Sequence, residues 1–428
     1  MTATVETLEG LNRRVTLNLS QEEVEAEVRK RLGKVARTVR MDGFRPGKAP
    51  MKLVAARYAN EIRGEVMGEA LNREFGEAVQ AGKLAVAGYP RFAPGENGAF
   101  VATFEVFPEI QVGDLSQIKV SRPVVEVSDA DVDRTLDVLR KQRVQYHAVE
   151  RAACEGDRVH VDYQGRIGGE LFPGGEAKDF PVILGEGRTL KDFEGSLAGM
   201  KAGESKTFEV SFPADYFAKE LAGKTASFEA TLKSVHEAVL PEVDEAMAQS
   251  LGIHEGGVTK LREEIRGNLA REAKRRVLAK VKEQVLNGLL ETTPFDVPGS
   301  LVAMEQQGLK EKAFNDLKAR GLKEQDIKLG DDIFEPQAKR RVALGLLMEA
   351  LIREQKITAS EDQVRAMVDE FAQSYEDPAE VVGWYYQDAS RLKEARALVL
   401  EENVVQWVLE RAQVTDETTP LEKLMGTA

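Results

Sequence analysis

The side chains best suited to binding chemistry in this sequence form a dense group of cations near the N-terminus. Between positions 29 and 57 the chain carries ten basic residues and one acidic residue, Asp42, so this segment has a net charge of +9. An aromatic residue beside an arginine, on a loop stiffened by prolines, can anchor one apolar contact while the cations meet phosphates or acidic protein. The alternative is a solvated helical face followed by a turn. The centre of the segment reads Gly43–Phe44–Arg45–Pro46–Gly47–Lys48–Ala49–Pro50.

Other reactive side chains are few and scattered. Cys154 is the single cysteine, so an intrachain disulfide is impossible, and we assign this thiol no role. The four histidines have no spacing typical of a metal site. The sequence contains no GxxxxGK[ST] loop, so we expect partner binding and release without ATP. We therefore predict no metal and no cofactor.

Length and composition set further limits. A chain of 428 residues suggests two to four domains. Its net charge of -13 argues against general nucleic-acid binding, so any such contact must come from a local basic patch. Met1–Gly10 has no apolar core, and no stretch approaches 18 apolar residues. We expect neither a signal peptide nor a membrane span, and we expect a cytoplasmic protein.

The basic loop is expected to join two helices within an α+β segment that ends near Gly113. Ser20, followed by acidic residues, is a plausible start for the first helix. Apolar and polar residues alternate at 15–19 and 100–106, which predicts two strands. Apolar residues recur at helical spacing at 24–39 and 54–66, which predicts two helices.

The middle of the chain has a different pattern. Residues 114–150 combine extended signals with a helix opened by Ser128, which has Asp131 three residues later as in a capping box. Residues 151–240 hold short alternating runs separated by many glycines and one short helical run, 189–200. This pattern predicts a compact, mostly antiparallel β domain with one short helix.

From about Pro241 the chain is expected to be helical. Apolar residues keep a 3.6-residue period from 258 to 289, so one helix of roughly 33 residues would span about 50 Å and form an extended arm. Several shorter amphipathic runs follow, and Met304, Met348 and Met367 could give an apolar surface adaptability. Periodicity alone leaves open whether these residues form a client-binding surface or a bundle core. The polar tail after Val414 is expected to fray.

The central string GFRPGKAP resembles the ribosome-docking loop of bacterial trigger factors, whose pattern reads G-F-R-x-G-x-x-P. By this resemblance Gly43, Phe44, Arg45, Pro46, Gly47 and Lys48 would bind the ribosome near the exit tunnel. Pro46 stands where many members carry a basic residue, so one cation is missing.

A second, independent resemblance lies in the β segment. Val159-His160-Val161-Asp162-Tyr163-Gln164-Gly165 is similar to the first core strand of FKBP-type prolyl isomerases, and later strings follow in family order. The resemblance implies an apolar pocket that removes water from the X–Pro amide and fits the proline ring in its twisted state, with Tyr163 and Tyr216 as hydroxyl donors. Pro173 and Lys191–Asp192 depart from the family pattern. By correspondence the pocket is lined by Tyr163, Phe172, Phe180, Val182, Leu190, Phe193, Tyr216 and Phe228.

Together the resemblances imply a multidomain α+β chain. Its parts would be an α+β ribosome-binding domain, a linker that packs with the C-terminal domain, an inserted FKBP-like antiparallel β-sheet domain with a short helix, and an elongated all-α domain with arms. We predict an ATP-independent chaperone that docks on the large ribosomal subunit through ribosomal protein and rRNA, holds nascent and unfolded chains, and isomerises X–Pro bonds. It would be cytoplasmic and partly ribosome-bound, without membrane contact; a homodimer off the ribosome stays open. The expected domain ranges are 1–113, 114–150, 151–240 and 241–428.

Three competing functions remain at this point. The first is a dedicated prolyl isomerase whose other domains only target it. The second is a structural, non-enzymatic ribosome-associated protein without client binding. The third, a periplasmic isomerase-chaperone, is disfavoured by the expected absence of a signal peptide.

Overall fold

The computed structural model describes residues 5–41, 44, 48, 50–216, 218–330, 332–373, 375 and 377–426, apart from the side chains of Asn97 and Asp326. The chain divides into two compact units. One comprises Met1–Arg122 and Leu278–Glu417, and the other comprises Pro123–Val277 and Thr418–Ala428.

The N-terminal part is a four-stranded antiparallel sheet with two helices. Its elements are β1 (Val5–Thr7), β2 (Asn12–Leu17), α1 (Gln21–Thr38), α2 (Met51–Ala81), β3 (Val86–Pro94) and β4 (Phe100–Val106). The strand order is β1-β2-β4-β3. Val15 and Leu17 point inward against Phe75 of α2. The Ser20 hydroxyl caps α1 by accepting from the Glu23 N–H, as its position in the sequence predicts.

The helices α1 and α2 also pack on each other. Val28 and Leu32 of α1 meet Val54, Ile62 and Val66 of α2, the residues whose helical spacing predicted the pair. The second helix is longer than the predicted run, because further apolar residues continue its buried face as far as Ala78.

The next elements are β5 (Lys119–Val124) and α3 (Asp129–Gln142). The Ser128 and Asp131 side chains form the predicted capping box at the start of α3. Val132 and Leu136 of α3 are buried with Leu261 and Ile265.

A five-stranded antiparallel sheet follows. Its elements are β6 (Gln145–Val149), β7 (Arg158–Ile167), β8 (Glu170–Ile183), α4 (Lys191–Leu197), β9 (Ser205–Ser211) and β10 (Thr225–Val239). The strand order is β6-β10-β7-β8, with β9 paired to β10, and the short helix α4 packs on the sheet. The sheet begins at Gln145, earlier than the glycine-rich segment.

Where it is described, the rest of the chain is helical except for one strand. Its elements are α5 (Glu245–Ser250), α6 (Gly257–Thr292), α7 (Gly299–Ala319), α8 (Glu335–Gln355), α9 (Glu361–Ala372), α10 (Pro378–Tyr386), α11 (Ala389–Leu409), β11 (Gln413–Thr418) and α12 (Leu421–Met425). The single long helix predicted from residue 258 is confirmed as α6. Within the described ranges, no helix is both long enough and apolar enough to cross a membrane.

The expectation of a frayed tail after Val414 was wrong. Strand β11 pairs with β5, and two side-chain contacts reinforce the pairing. Arg122 Nε donates to the Asp416 carboxylate over 2.7 Å, and Ser121 Oγ donates to the Glu417 carboxylate over 2.7 Å. The polar residues of this tail therefore gain order from a distant segment rather than from a core of their own.

Candidate functional site

The centre of the five-stranded sheet carries a continuous group of aromatic rings. Tyr163, on β7, has its ring centroid 5.7 Å from that of Phe180, 5.4 Å from that of Phe193 and 5.8 Å from that of Phe228. Most of these contacts are edge-to-face or tilted, the geometry that the charge distribution of aromatic rings favours. One tyrosine thus connects residues from β8, α4 and β10.

A second set of rings extends the group. Phe172 lies 6.0 Å from Phe228 and 5.9 Å from Phe212, and Phe212 lies 4.9 Å from Tyr216, all between ring centroids. Phe208 lies 5.6 Å from Phe193. The eight side chains named from the sequence, including Val182 and Leu190, lie in or against this same cluster.

Phe208 and Phe212 belong to the ring group but were absent from the residues expected to line it. Their alternation with Val210 marked them as one face of a strand. That face points at the aromatic cluster, which the alternation alone does not show.

Close approach of the backbone to these rings depends on glycine. A Cβ at Gly165 would lie 2.6 Å from Cε1 of Phe228 and 2.9 Å from Cε1 of Phe172. A Cβ at Gly175 would lie 2.8 Å from the carbonyl oxygen of Gly165. Any side chain larger than that of glycine at position 165 would therefore overlap two aromatic rings.

The phenol of Tyr163 is the main titratable group among the rings. Burial, together with the nearby Tyr216, raises the pKa of Tyr163 above its ordinary value. The hydroxyl therefore stays protonated at neutral pH and can donate a hydrogen bond. Within the described parts of the chain no cluster of three or more His, Cys, Asp or Glu residues could hold a metal ion.

The two departures from the family pattern lie at the edge of this cluster. Lys191 and Asp192 are exposed at the start of α4. Pro173 is exposed and lines a cavity of about 320 Å³ together with Leu221 and residues 218–220.

The basic loop joins α1 and α2. Phe44 is 39% exposed, and its N–H donates to the Met41 carbonyl over 3.0 Å. Lys48 is exposed. The other four residues expected to bind the ribosome, Gly43, Arg45, Pro46 and Gly47, lie outside the described residues.

The cations around this loop are not equivalent. Lys30 pairs with Glu27, and Arg31 pairs with both Glu27 and Glu69, so the positive charge is partly neutralised along the helices. Among described side chains no carboxylate lies within ion-pair distance of Arg37 or of Lys52. The remaining positive charge is therefore concentrated at the loop end of the helix pair.

The helical part has an apolar groove of about 540 Å³. Leu286, Met348 and Leu398 contribute from α6, α8 and α11, and Leu398 is 41% exposed. Glu394 and Glu401 also line it, and Lys282 Nζ donates to Glu401 over 2.6 Å. Of the other methionines expected to form an adaptable surface, Met304 is exposed and Met367 packs into a core.

Three family models match the chain. A model described as "Bacterial trigger factor protein (TF)" matches residues 1–139, and one described as "Bacterial trigger factor protein (TF) C-terminus" matches residues 257–410. A third, "FKBP-type peptidyl-prolyl cis-trans isomerase", matches residues 149–233.

Curated relatives resemble the chain over its whole length. The trigger factor of Aromatoleum aromaticum is 51% identical over 433 residues, covering 100% of both chains. That of Nitrosospira multiformis is also 51% identical over 433 residues with the same coverage. A solved structure described as "Promiscuous Substrate Recognition in Folding and Assembly Activities of the Trigger Factor Chaperone" matches 96% of this chain and 100% of that chain, with 18% identity and a TM-score of 0.45.

Proposed function

The chain belongs to the bacterial trigger factor family, ribosome-associated chaperones that carry an FKBP-type prolyl isomerase domain, and we propose how its parts divide this work. The loop between α1 and α2 docks the protein on the large ribosomal subunit near the exit tunnel. The ring cluster isomerises X–Pro bonds. The helical groove holds nascent and unfolded chains.

Docking is supported by the charge distribution around the loop. Cations concentrate at the loop end of α1 and α2 within a chain of net charge -13, which suits contact with rRNA phosphates or an acidic ribosomal protein. The half-exposed Phe44 adds one apolar anchor beside them. The residues of this contact are Gly43, Phe44, Arg45, Pro46, Gly47 and Lys48.

Co-sedimentation with ribosomes across a salt series tests the docking loop. We expect Phe44→Ala with Arg45→Ala to abolish salt-sensitive binding. The matched control is Phe107→Ala with Arg73→Ala, which removes an exposed phenylalanine and an exposed arginine elsewhere in the same unit. Equal binding by the loop variant and the wild type would refute this part of the proposal.

Catalysis of isomerisation is supported by the packing of the rings. Twisting an X–Pro bond means losing amide resonance, and the barrier of the uncatalysed reaction is about 18–20 kcal/mol. An apolar pocket favours the twisted amide, which is less polar than the planar one that water stabilises. No nucleophile or base is needed. We assign the pocket to Tyr163, Phe172, Phe180, Val182, Leu190, Phe193, Tyr216 and Phe228.

Client holding is supported by the apolar groove of the helical part, which a dedicated isomerase would not need. We expect Leu398→Asp to reduce suppression of aggregation of an unfolded protein, because it puts a third carboxylate beside Glu394 and Glu401. Leu322→Asp is the control, since Leu322 is similarly exposed and does not line the groove.

Separate sites for isomerisation and for client holding distinguish this proposal from a dedicated isomerase and from a structural ribosome-associated protein. Phe193→Ala should remove isomerase activity and leave aggregation suppression largely intact. Loss of both activities in that variant would favour a dedicated isomerase, and no protection by the wild type at any concentration would favour a structural role.

Domain organisation and cellular location complete the proposal. The domains are 1–113, 114–150, 151–240 and 241–428, with the second packing against the fourth. Burial of Val132 with Leu261 and Ile265 supports that packing. The protein acts in the cytoplasm, partly bound to ribosomes, and analytical ultracentrifugation of the ribosome-free protein tests for a homodimer.

A further inference from the structure

A buried carboxylate follows one of the cluster's phenylalanines in the sequence. Glu194 follows Phe193 in α4 and is 7% exposed. Among the described residues, no cation forms an ion pair with it. Its oxygens instead accept hydrogen bonds from the turn that precedes the helix, residues 185–189. A buried carboxylate without these donors would be strongly destabilising.

Both oxygens of Glu194 are fully used. Oε2 accepts from the N–H groups of Gly185 over 2.9 Å and Gly187 over 3.3 Å. Oε1 accepts from the N–H of Thr189 over 3.0 Å and from its hydroxyl over 2.9 Å. Burial raises the pKa of Glu194, but the donors of Thr189 and the two glycines outweigh it and hold that pKa below its ordinary value.

The turn held by Glu194 leads directly into the pocket. Leu190 comes next in the chain, packs against the ring cluster, and its carbonyl accepts from the Phe193 N–H over 2.9 Å. Gly185 and Gly187 have φ of +88° and +68°, in the left-handed region that favours glycine. The turn therefore holds a conformation that its own short sequence does not enforce.

We propose that Glu194 is a positioning residue for prolyl isomerisation: its carboxylate fixes the turn 185–189, and the turn fixes Leu190 and Phe193 in the pocket. This inference rests on the proposed assignment of the pocket. A pocket complementary to a twisted amide must be rigid, because displacement of its walls by about 1 Å costs as much as a hundredfold in rate.

Glutamine cannot replace this carboxylate. Each oxygen faces at least one backbone N–H that cannot turn away, so either orientation of the amide sets an NH₂ group against another donor. Glu194→Gln therefore releases one end of the turn while keeping the volume of the side chain. Gly187→Ala disturbs the turn through its backbone, because alanine is strained at a positive φ. This substitution leaves the Glu194 side chain unchanged.

The test measures kcat/KM of the full-length protein on a short X–Pro peptide. The temperature is kept below the thermal unfolding midpoint of every variant. Selective ¹⁵N-glycine labelling reports the amides of Gly185 and Gly187 in the same samples. We expect Glu194→Gln and Gly187→Ala to lower kcat/KM by about tenfold or more. Both amide signals should be displaced in Glu194→Gln, and the Gly185 signal should be displaced in Gly187→Ala.

Asp157→Asn is the matched control for loss of a buried carboxylate. Asp157 is 3% exposed and accepts from Arg151 and from the Cys154 N–H, outside the ring cluster. We expect its kcat/KM to stay within about twofold of the wild type. An equal loss in Asp157→Asn would mean general destabilisation and would overturn the proposal.

Two further outcomes are decisive. Displaced glycine amides with unchanged kcat/KM in Glu194→Gln would show that the turn only stabilises the fold. If Glu194→Gln does not fold, the same criterion is applied to Gly187→Ala. A displaced Gly185 amide with unchanged kcat/KM would then show that the turn only stabilises the fold. Unchanged activity in Phe193→Ala would instead remove the pocket assignment itself, so the two failures can be told apart.

Discussion

A methyl group added at Gly165 tests how closely the proposed isomerase pocket is packed. The new Cβ would lie 2.6 Å from Cε1 of Phe228 and 2.9 Å from Cε1 of Phe172. Carbon atoms in contact prefer about 3.5–4.0 Å, so both rings must move by roughly 1 Å. Gly165 lies outside the left-handed region, and the effect of Gly165→Ala therefore comes from packing rather than from backbone strain.

The expected magnitude follows from this overlap. Overpacking of a well-filled core costs about 1–3 kcal/mol of unfolding free energy. Both displaced rings line the proposed pocket, so we expect kcat/KM for a short X–Pro peptide to fall by about ten- to hundredfold. Activity should fall even at temperatures where the variant is fully folded.

Chemical denaturation and peptide isomerisation, measured on the same samples, test this expectation. The control is Gly195→Ala on α4, where the added methyl group meets no atom within 4 Å. We expect the control to be neutral or slightly stabilising, because alanine favours the helix. Wild-type stability and activity in Gly165→Ala would show that the rings do not lie against this backbone.

Two further predictions concern stability. Ser128→Ala removes half of the capping box with Asp131 and should lower the unfolding free energy by about 1 kcal/mol in urea denaturation; no change in the midpoint would contradict the cap. Burial raises the pKa of Asp157, but Arg151 and the Cys154 N–H hold that pKa below its ordinary value. This carboxylate therefore adds stability above its unfolded-state pKa, and the protein loses that stability as pH falls through the folded-state pKa. Stability curves should therefore decline less on acidification in Asp157→Asn, and identical slopes would contradict the assignment.

Local patterns predicted the elements that depend on local rules. The Ser20 and Ser128 caps, the period of α6 and the alternation of β10 all follow from neighbouring residues. Two residues beside the predicted pocket, Phe208 and Phe212, were missed because alternation identifies a strand face without saying what it meets.

Features that depend on how the chain folds back on itself could not be predicted in this way. Nothing near Glu194 in the sequence shows that its carboxylate would be buried, because its donors become available only when the turn folds back on α4. Strand β11 has the composition of a loose tail, and its order comes from Arg122 and Ser121, almost 300 positions earlier.

The pairing of β5 with β11 also sets an order of events during synthesis. Ser121 bonds to Glu417 across 296 positions, so the two-stranded sheet cannot close until nearly the whole chain has left the ribosome. Strands β6 to β10 are contiguous in sequence and can fold while the remainder is still being made. A protein that receives unfinished chains therefore cannot complete its own fold until residues as late as Glu417 have been synthesised.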